Sequence, residues 1–212
     1  MKIFNTQEYP NLLDSINITS EQIKGQIISF RLTFIQVRNK FVEWGVQLPM
    51  FVNAFYDYVV KYQTIPNQND FWEHYQRFNA DFFSSANFNE EIKYGVKARC
   101  FRTYPSLVRD VFFNKYVSEK LQRKATVVYN VNLDVREGID MMIVEPNGLN
   151  KAINLYVNTQ RALLGRQKKE NRHTSFDNVD YVEFPVDFKG SEKIGDFFMY
   201  GKQEYERLQQ YL

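Results

Sequence analysis

The chain has 212 residues, and its 27 Lys and Arg residues nearly balance 25 Asp and Glu residues, so the formal net charge is +2. Hydrophobic residues make up 44% of the chain and aromatic residues 17%, whereas glycine (9) and proline (6) are sparse. This composition excludes disordered, collagen-like and low-complexity proteins. At this length we expect one domain, or one domain with a helical extension.

The cysteine and histidine content limits both the class of protein and its metal chemistry. The single cysteine, Cys100, excludes an intramolecular disulfide and therefore the small secreted domains that depend on one. Two histidines and one cysteine are too few for a structural zinc site, so any metal would be a hard cation bound by carboxylates. The first residues become polar within four positions and no apolar run approaches the ~18 residues of a membrane span, so we expect a cytoplasmic protein without a signal peptide or a membrane partner.

The first half of the sequence predicts an aromatic-rich helical domain, residues 1–103. Apolar residues recur at spacings of three and four from Ser20 to Gly45, which predicts one continuous helix of about seven turns. Three more predicted helices are separated by proline or polar breaks: one after Pro49, one after the polar run 65–70, and one from Asn89 to Arg102 that Pro105 ends. Aromatic residues at helical spacing are predicted to form the core of this domain, not base-stacking platforms.

Three basic residues, Lys24, Arg31 and Arg38, are spaced by seven along the first predicted helix and would therefore share one edge of it. Two interpretations remain open. The edge is either a solvated flank whose aliphatic stems cover the core, or a track for the phosphates of a nucleic acid.

The second half, residues 104–212, predicts an α/β arrangement. The elements predicted in it occur in the order helix, three strands, helix, strand, helix: 107–121, 126–133, 139–144, 151–158, 159–169, 181–186 and 196–212. We therefore expect an α+β or α/β fold in which a helical N-terminal half precedes a small mixed β-sheet flanked by helices.

Asp140 is the residue that breaks its local pattern, because it lies within an apolar strand. A carboxylate in that position must be paired or must face a cleft, since burying it alone is prohibitive. Two interpretations follow. Asp140 either pairs with an arginine or closes the turn Arg136–Gly138, or it is a metal-binding carboxylate at the edge of a small sheet.

The order of an acid-bearing helix, two strands joined by a tight turn, the triplet Gly138-Ile139-Asp140 and a third strand resembles the restriction-endonuclease-like PD-(D/E)XK superfamily. The resemblance covers about residues 104–200. It implies that Asp140 is a Mg²⁺ ligand and that Asp110 or Glu119 on the preceding helix completes the metal site. It also implies that the protein acts on DNA, as the endonucleases of restriction-modification systems do.

The third strand departs from the pattern of that superfamily. It has Tyr156 and Asn158 where an acid and a lysine are expected, although hydrolysis by this route needs a second carboxylate and a nearby cation. Either the role of the lysine has moved to the next helix, with Lys168 near the developing charge, or the site is inactive and the fold is kept for binding DNA or a protein partner.

The strongest local charge feature is the run 161–173, where five cations and one acid leave an excess of four positive charges. Its basic residues are Arg161, Arg166, Lys168, Lys169 and Arg172. Double-stranded DNA is the natural partner of such a cluster, although a solvated surface remains an alternative. Cleavage of both DNA strands would require a homodimer or two successive binding events. The sequence therefore predicts a DNA-associated protein with Mg²⁺-dependent endonuclease activity, or an inactive nuclease-like binding module.

Overall fold

The computed structural model describes residues 2–84, 88–157, 175–187 and 191–212. Its contacts divide the chain into two compact units. The sheet unit comprises Met1–Ser20, Asp110–Lys193 and Phe198–Leu212, and the helical unit comprises Glu21–Arg109 and Ile194–Phe197. The predicted fold class is confirmed, because helices dominate the first half and a mixed β-sheet follows.

The helices of the first half are α1 (Ser20–Ile27), α2 (Phe51–Tyr62), α3 (Gln68–Phe78), α4 (Ala80–Phe83) and α5 (Glu90–Leu121). Two of them form where the sequence predicts helices after Pro49 and after the polar run 65–70. Helix α3 starts at the predicted break because the Asn67 side chain accepts hydrogen bonds from the backbone N–H groups of Asn69 and Asp70. An N-cap of this kind satisfies donors that have no partner within the helix.

The predicted helix from Ser20 to Gly45 is wrong. Helix α1 ends at Ile27, the chain has no regular secondary structure from residue 30 to residue 39, and a single π-helical turn follows at Phe41–Gly45. Lys24, Arg31 and Arg38 therefore do not share one edge of a helix.

Side chains from distant parts of the helical unit explain why the helix stops. They bond the backbone groups of the 30–39 stretch, which would otherwise lack partners. Asp196 accepts from the backbone N–H of Leu32 at 2.9 Å, and the Gln68 Oε1 atom accepts from that of Thr33 at 2.6 Å. The partners lie far away in the sequence, so the local apolar spacing gives no sign of them.

The predicted helix end at Pro105 is also wrong, because α5 continues through this proline to Leu121. Proline has no N–H, so the carbonyl of Phe101, four residues earlier, loses its helical partner. The Gln68 Nε2 atom donates to that carbonyl at 3.1 Å and takes the place of the missing N–H. Gln68 is only 5% exposed, so this substitute bond is shielded from water.

Two buried tyrosines anchor the aromatic core of the helical unit. The hydroxyl groups of Tyr75 and Tyr104 donate to the carbonyl oxygens of Pro49 and Pro66 at 2.7 and 2.5 Å. Burial raises the pKa of both phenols. Burial also raises the pKa of the Cys100 thiol, which is free and fully buried, as expected for an unreactive cysteine.

We expect the raised phenol pKa values to make the helical unit unstable in alkali. Above about pH 10 an unfolded tyrosine loses its proton while Tyr75 and Tyr104 keep theirs in the fold. Their contribution is therefore complete below about pH 10 and declines above it by about 1.4 kcal/mol per pH unit for each phenol. Urea unfolding at a series of pH values measures this slope. Tyr104→Phe should reduce the slope, whereas Tyr94→Phe, at an exposed position, should not; equal slopes in both variants would contradict the prediction.

The sheet has the order β1-β2-β3-β4. Its strands are β1 (Thr126–Val128), β2 (Met141–Val144), β3 (Asn150–Val157) and β4 (Val179–Val186). The first three strands pair antiparallel, and β3 pairs parallel with β4. The predicted strand at 126–133 is too long, because after Val128 the chain enters a π-helical turn, Leu133–Glu137, which Gly138 ends with a φ of 71°.

The predicted helix at 196–212 is replaced by a hairpin and a shorter helix. The hairpin consists of β5 (Glu192–Ile194) and β6 (Phe197–Met199), and α6 (Lys202–Leu208) follows. The tip of this hairpin, Ile194–Phe197, belongs to the helical unit. There Asp196 bonds Leu32 as described above, and the ring of Phe197 lies 5.9 Å from that of Tyr104.

The first twenty residues pack on the sheet, although the predicted boundary at residue 103 places them in the helical domain. A buried carboxylate fixes them there. Glu137, only 6% exposed, accepts from the Lys2 Nζ atom at 2.5 Å and from the Tyr9 hydroxyl at 3.2 Å. The Lys2 ammonium group also lies 5.2 Å from the ring centroids of Tyr9 and Phe176. The hydrogen bond to Glu137 raises the pKa of Lys2, so the ion pair is stable at physiological pH.

Candidate carboxylate site

Asp140 lies immediately before β2 and is held against β3. Its backbone N–H donates to the carbonyl oxygen of Ile153 at 3.1 Å, and its Oδ2 atom accepts from the backbone N–H of Leu155 at 2.6 Å. Hydrogen bonds to an ionised carboxylate are short and strong. The half-buried carboxylate is therefore fixed in orientation at the end of a strand.

Two more residues with oxygen-bearing side chains, Asn154 and Glu183, lie on the strands next to Asp140. Met141 pairs with Ile153, and the Asp140 N–H also donates to the Ile153 carbonyl, so the two bonds of Asp140 to β3 lie on either side of Asn154, at Ile153 and Leu155. Asn154 in turn pairs with Glu183 of β4, and its Nδ2 atom donates to the Glu183 Oε1 atom at 3.1 Å. We call these three residues, Asp140, Asn154 and Glu183, the oxygen row.

The amide oxygen of Asn154 is the most informative atom of this row. It is buried and has no hydrogen-bond partner among the described residues. A buried acceptor without a partner is rare in folded proteins and is often satisfied by water or an ion. Carboxylate and amide oxygens are the ligands that Mg²⁺ and Ca²⁺ prefer, so the donor set of the oxygen row fits a hard divalent cation.

The helix acids predicted to complete a metal site have other surroundings. Glu119 accepts from the Ser20 backbone N–H at 2.8 Å and from the Ser20 hydroxyl at 2.5 Å, at the start of α1. Asp110 is half-buried, and its carbonyl oxygen accepts from the side chain of Asn114. In the described part of the chain, no three His, Cys, Asp or Glu side chains are grouped to hold a metal ion. The assignment of Asp110 and Glu119 to a metal site with Asp140 stays a prediction.

The basic residues of the prediction lie outside the described residues: Arg161, Arg166, Lys168, Lys169 and Arg172. Asn158 also lies outside them, whereas Tyr156 is in β3 and pairs with Pro185. The assignment of Lys168 to the developing charge thus stays a prediction.

Asn154 and Glu183 were missed at the sequence level, although a signal for Asn154 is present. The turn Pro146-Asn147-Gly148 joins β2 to β3, and Asp140 and Asn154 are each seven residues from its centre. Folding the hairpin about Asn147 would have placed Asn154 close to the start of β2. Glu183 has no comparable local signal, because its pairing is set by the crossover between two parallel strands.

No family model, curated protein or solved structure matches this chain. The resemblance to the PD-(D/E)XK superfamily therefore depends on Asp140 and its surroundings and on the order of the elements. In the described ranges, no helix is both long enough and apolar enough to cross a membrane.

Proposed function

We propose that this protein is a DNA-associated, Mg²⁺-dependent endonuclease whose nuclease-like module is the sheet unit. The observation that carries the proposal is the oxygen row: Asp140 bonds the backbone of β3 on either side of Asn154, and the Asn154 side chain bonds Glu183 of β4. Asp140 matches the strand aspartate of the PD-(D/E)XK pattern. A cytoplasmic location and double-stranded DNA as the substrate are parts of the same proposal.

The oxygen row compensates for the departure at Tyr156. The superfamily pattern expects an acid on the third strand, and the β3 residue between the two that Asp140 bonds is Asn154, not Tyr156. Asn154 contributes a neutral oxygen there, and Glu183 on the next strand contributes the second negative charge. Together the two carboxylates would supply the charge that a divalent cation requires.

Each residue of the row has a definable role in this proposal. Asp140 and Glu183 would bind the cation, and the Leu155 N–H keeps the Asp140 carboxylate in one orientation. Asn154 would bind through its buried oxygen while its Nδ2 atom holds Glu183. When bound, a magnesium ion supplies Lewis-acid stabilisation of the phosphate charge and acidifies a water molecule.

The experiment is incubation of supercoiled plasmid with the protein and Mg²⁺. We expect nicking or linearisation, and we expect Asp140→Asn to reduce the rate by about 100-fold or more, because a charged ligand is lost. Asn154→Ala should also reduce the rate, because the buried oxygen and the Nδ2 bond to Glu183 are both lost. Asp180→Asn, which removes an exposed carboxylate from β4, is the matched control and should leave the rate unchanged. Cleavage that persists in Asp140→Asn would refute this assignment of the site.

A second candidate function is an inactive nuclease-like module that binds DNA or a protein. The observation that favours it is Tyr156 in the place of the expected third-strand acid. The two candidates differ in calorimetric titration with Mg²⁺. The enzyme should take up the metal and lose that uptake in Asp140→Asn, whereas salt-sensitive binding of duplex DNA without metal uptake or cleavage would favour the inactive module.

A further inference from the structure

The segment 30–44 of the helical unit exposes large apolar side chains that the sequence pattern predicts to be core. Phe34 is 65% exposed and Trp44 is 89% exposed, and Val37 and Phe41 are also exposed. Isolated exposed hydrophobic residues are common in folded proteins, but several within one short stretch indicate an interaction surface. We call this stretch the aromatic segment.

The aromatic segment is anchored although it has little regular secondary structure. The Arg102 guanidinium donates to the carbonyl oxygens of Ile35 and Val37 at 3.3 and 2.8 Å, and it pairs with the carboxylate of Glu43. One guanidinium group spans only a few ångströms, so the two limbs of the segment converge on it. Phe34 and Trp44, the neighbours of these bonded residues, are therefore brought into the same region of the surface.

Helix α5 gives the segment a second support. A Cβ atom at Gly95 would lie 2.8 Å from the Asn39 Cβ atom and 3.1 Å from the Val42 Cγ2 atom, so the absence of a side chain allows close packing there. Arg99 donates to the carbonyl oxygen of Val42 at 2.7 Å. The exposed rings are thus presented by a fixed backbone, which reduces the entropy lost when a ligand binds.

The charge of the aromatic segment identifies the kind of ligand. Arg31, Arg38 and Lys40 are exposed, and the only acid between residues 30 and 44 is Glu43, which is paired with Arg102. Cations that alternate with exposed aromatic rings are complementary to a flexible polyanion that carries exposed planar rings. Single-stranded nucleic acid has this chemistry, because its phosphates are charged and its unpaired bases can stack on aromatic side chains. A duplex hides those faces.

We propose that the aromatic segment binds single-stranded nucleic acid, with bases stacked on Phe34 and Trp44 and phosphates bound by Arg31, Arg38 and Lys40. This site lies within the helical unit and shares no residue with the oxygen row. It does not depend on the proposed nuclease activity.

Trp44 is itself the probe for the test. The chain has two tryptophans, and Trp72 is only 8% exposed, so Trp72→Phe leaves Trp44 as the single reporter. We would titrate this variant with oligothymidine and oligouridine of about 20 nucleotides, a length that covers one or more single-strand binding sites. EDTA in the buffer withholds any divalent metal. We expect quenching of the Trp44 emission, and comparison of the two oligonucleotides shows whether DNA or RNA is preferred.

Anisotropy of labelled oligothymidine measures the affinities of the other variants. Trp44→Ala should weaken binding about tenfold or more, because a stacking partner is lost. Arg38→Gln should lower the salt dependence, with a slope smaller by about 0.7 for one lost phosphate contact. Tyr94→Ala, at an exposed position on α5, is the matched control and should bind like the unchanged protein.

Three results would overturn the proposal: no binding of either oligonucleotide, equal affinity of Trp44→Ala and the unchanged protein, or tighter binding of a blunt duplex of the same length. The first of these would leave a protein partner as the occupant of the aromatic segment. Because no divalent metal is present, failure of this test says nothing about the oxygen row, and failure of the plasmid test says nothing about the aromatic segment.

Discussion

Replacing Gln68 by leucine is expected to lower the free energy of unfolding by about 2–4 kcal/mol. The substitution leaves the carbonyl of Phe101 and the N–H and carbonyl of Thr33 without their partner. A buried backbone group without a hydrogen bond costs about 1–3 kcal/mol, and groups that regain water cost less. The change should appear as a lower midpoint in urea unfolding with an unaltered slope.

A double-mutant cycle with Pro105 isolates the part of this loss that concerns α5. Pro105→Ala supplies the N–H that the Phe101 carbonyl lacks, so Gln68→Leu should be less harmful in that background by about 1–2 kcal/mol. Gln36→Leu, at an exposed position of the helical unit, controls for the general effect of a glutamine-to-leucine change. Strict additivity of the substitutions at 68 and 105 would show that Gln68 does not replace the missing helical bond.

The second large effect is expected at the ion pair of Lys2 and Glu137, and it should be asymmetric. Lys2→Met leaves the buried carboxylate of Glu137 without its cation, which costs about 3–5 kcal/mol. Glu137→Met leaves a lysine whose side chain is 32% exposed and can regain water, so the loss should be smaller. Urea unfolding of the two variants measures the difference.

The double variant, with methionine at both positions, distinguishes a buried-charge effect from a loss of packing. With both charges removed, no uncompensated ion remains, and the stability should recover to within about 1 kcal/mol of the unchanged protein. Lys193→Met, at an exposed position outside this cluster, is the control for a lysine-to-methionine change. A double variant as unstable as Lys2→Met would mean that the buried charge is not the cause.

The sequence predicted those helices whose ends are determined locally. Helices α2 and α3 follow a proline and an asparagine cap, and such signals act over three or four residues. The errors at residues 28–45 and at Pro105 have a common cause. In both places a side chain far away in the sequence, above all that of Gln68, bonds backbone groups. The local sequence pattern does not indicate these bonds.

The candidate site was predictable to a similar extent. Asp140 was found because a carboxylate in an apolar strand contradicts its surroundings. The position of Asn154 could be predicted from the hairpin that turns at Asn147. The position of Glu183 could not, because it depends on the register of two parallel strands joined by a long crossover. Glu119 was proposed from its place on a helix, and its hydrogen bonds to Ser20 depend on packing between segments far apart in the chain.

The hairpin tip Ile194–Phe197 has a consequence for the order of events during synthesis. The other residues of the helical unit, Glu21–Arg109, are made first, and more than 80 residues follow before Asp196 and Phe197 leave the ribosome. Until then Leu32 and Tyr104 lack partners that they have in the finished protein. Domains usually fold as units in the order of their synthesis. Here the N-terminal helices can reach their final structure only after most of the sheet sequence has been translated.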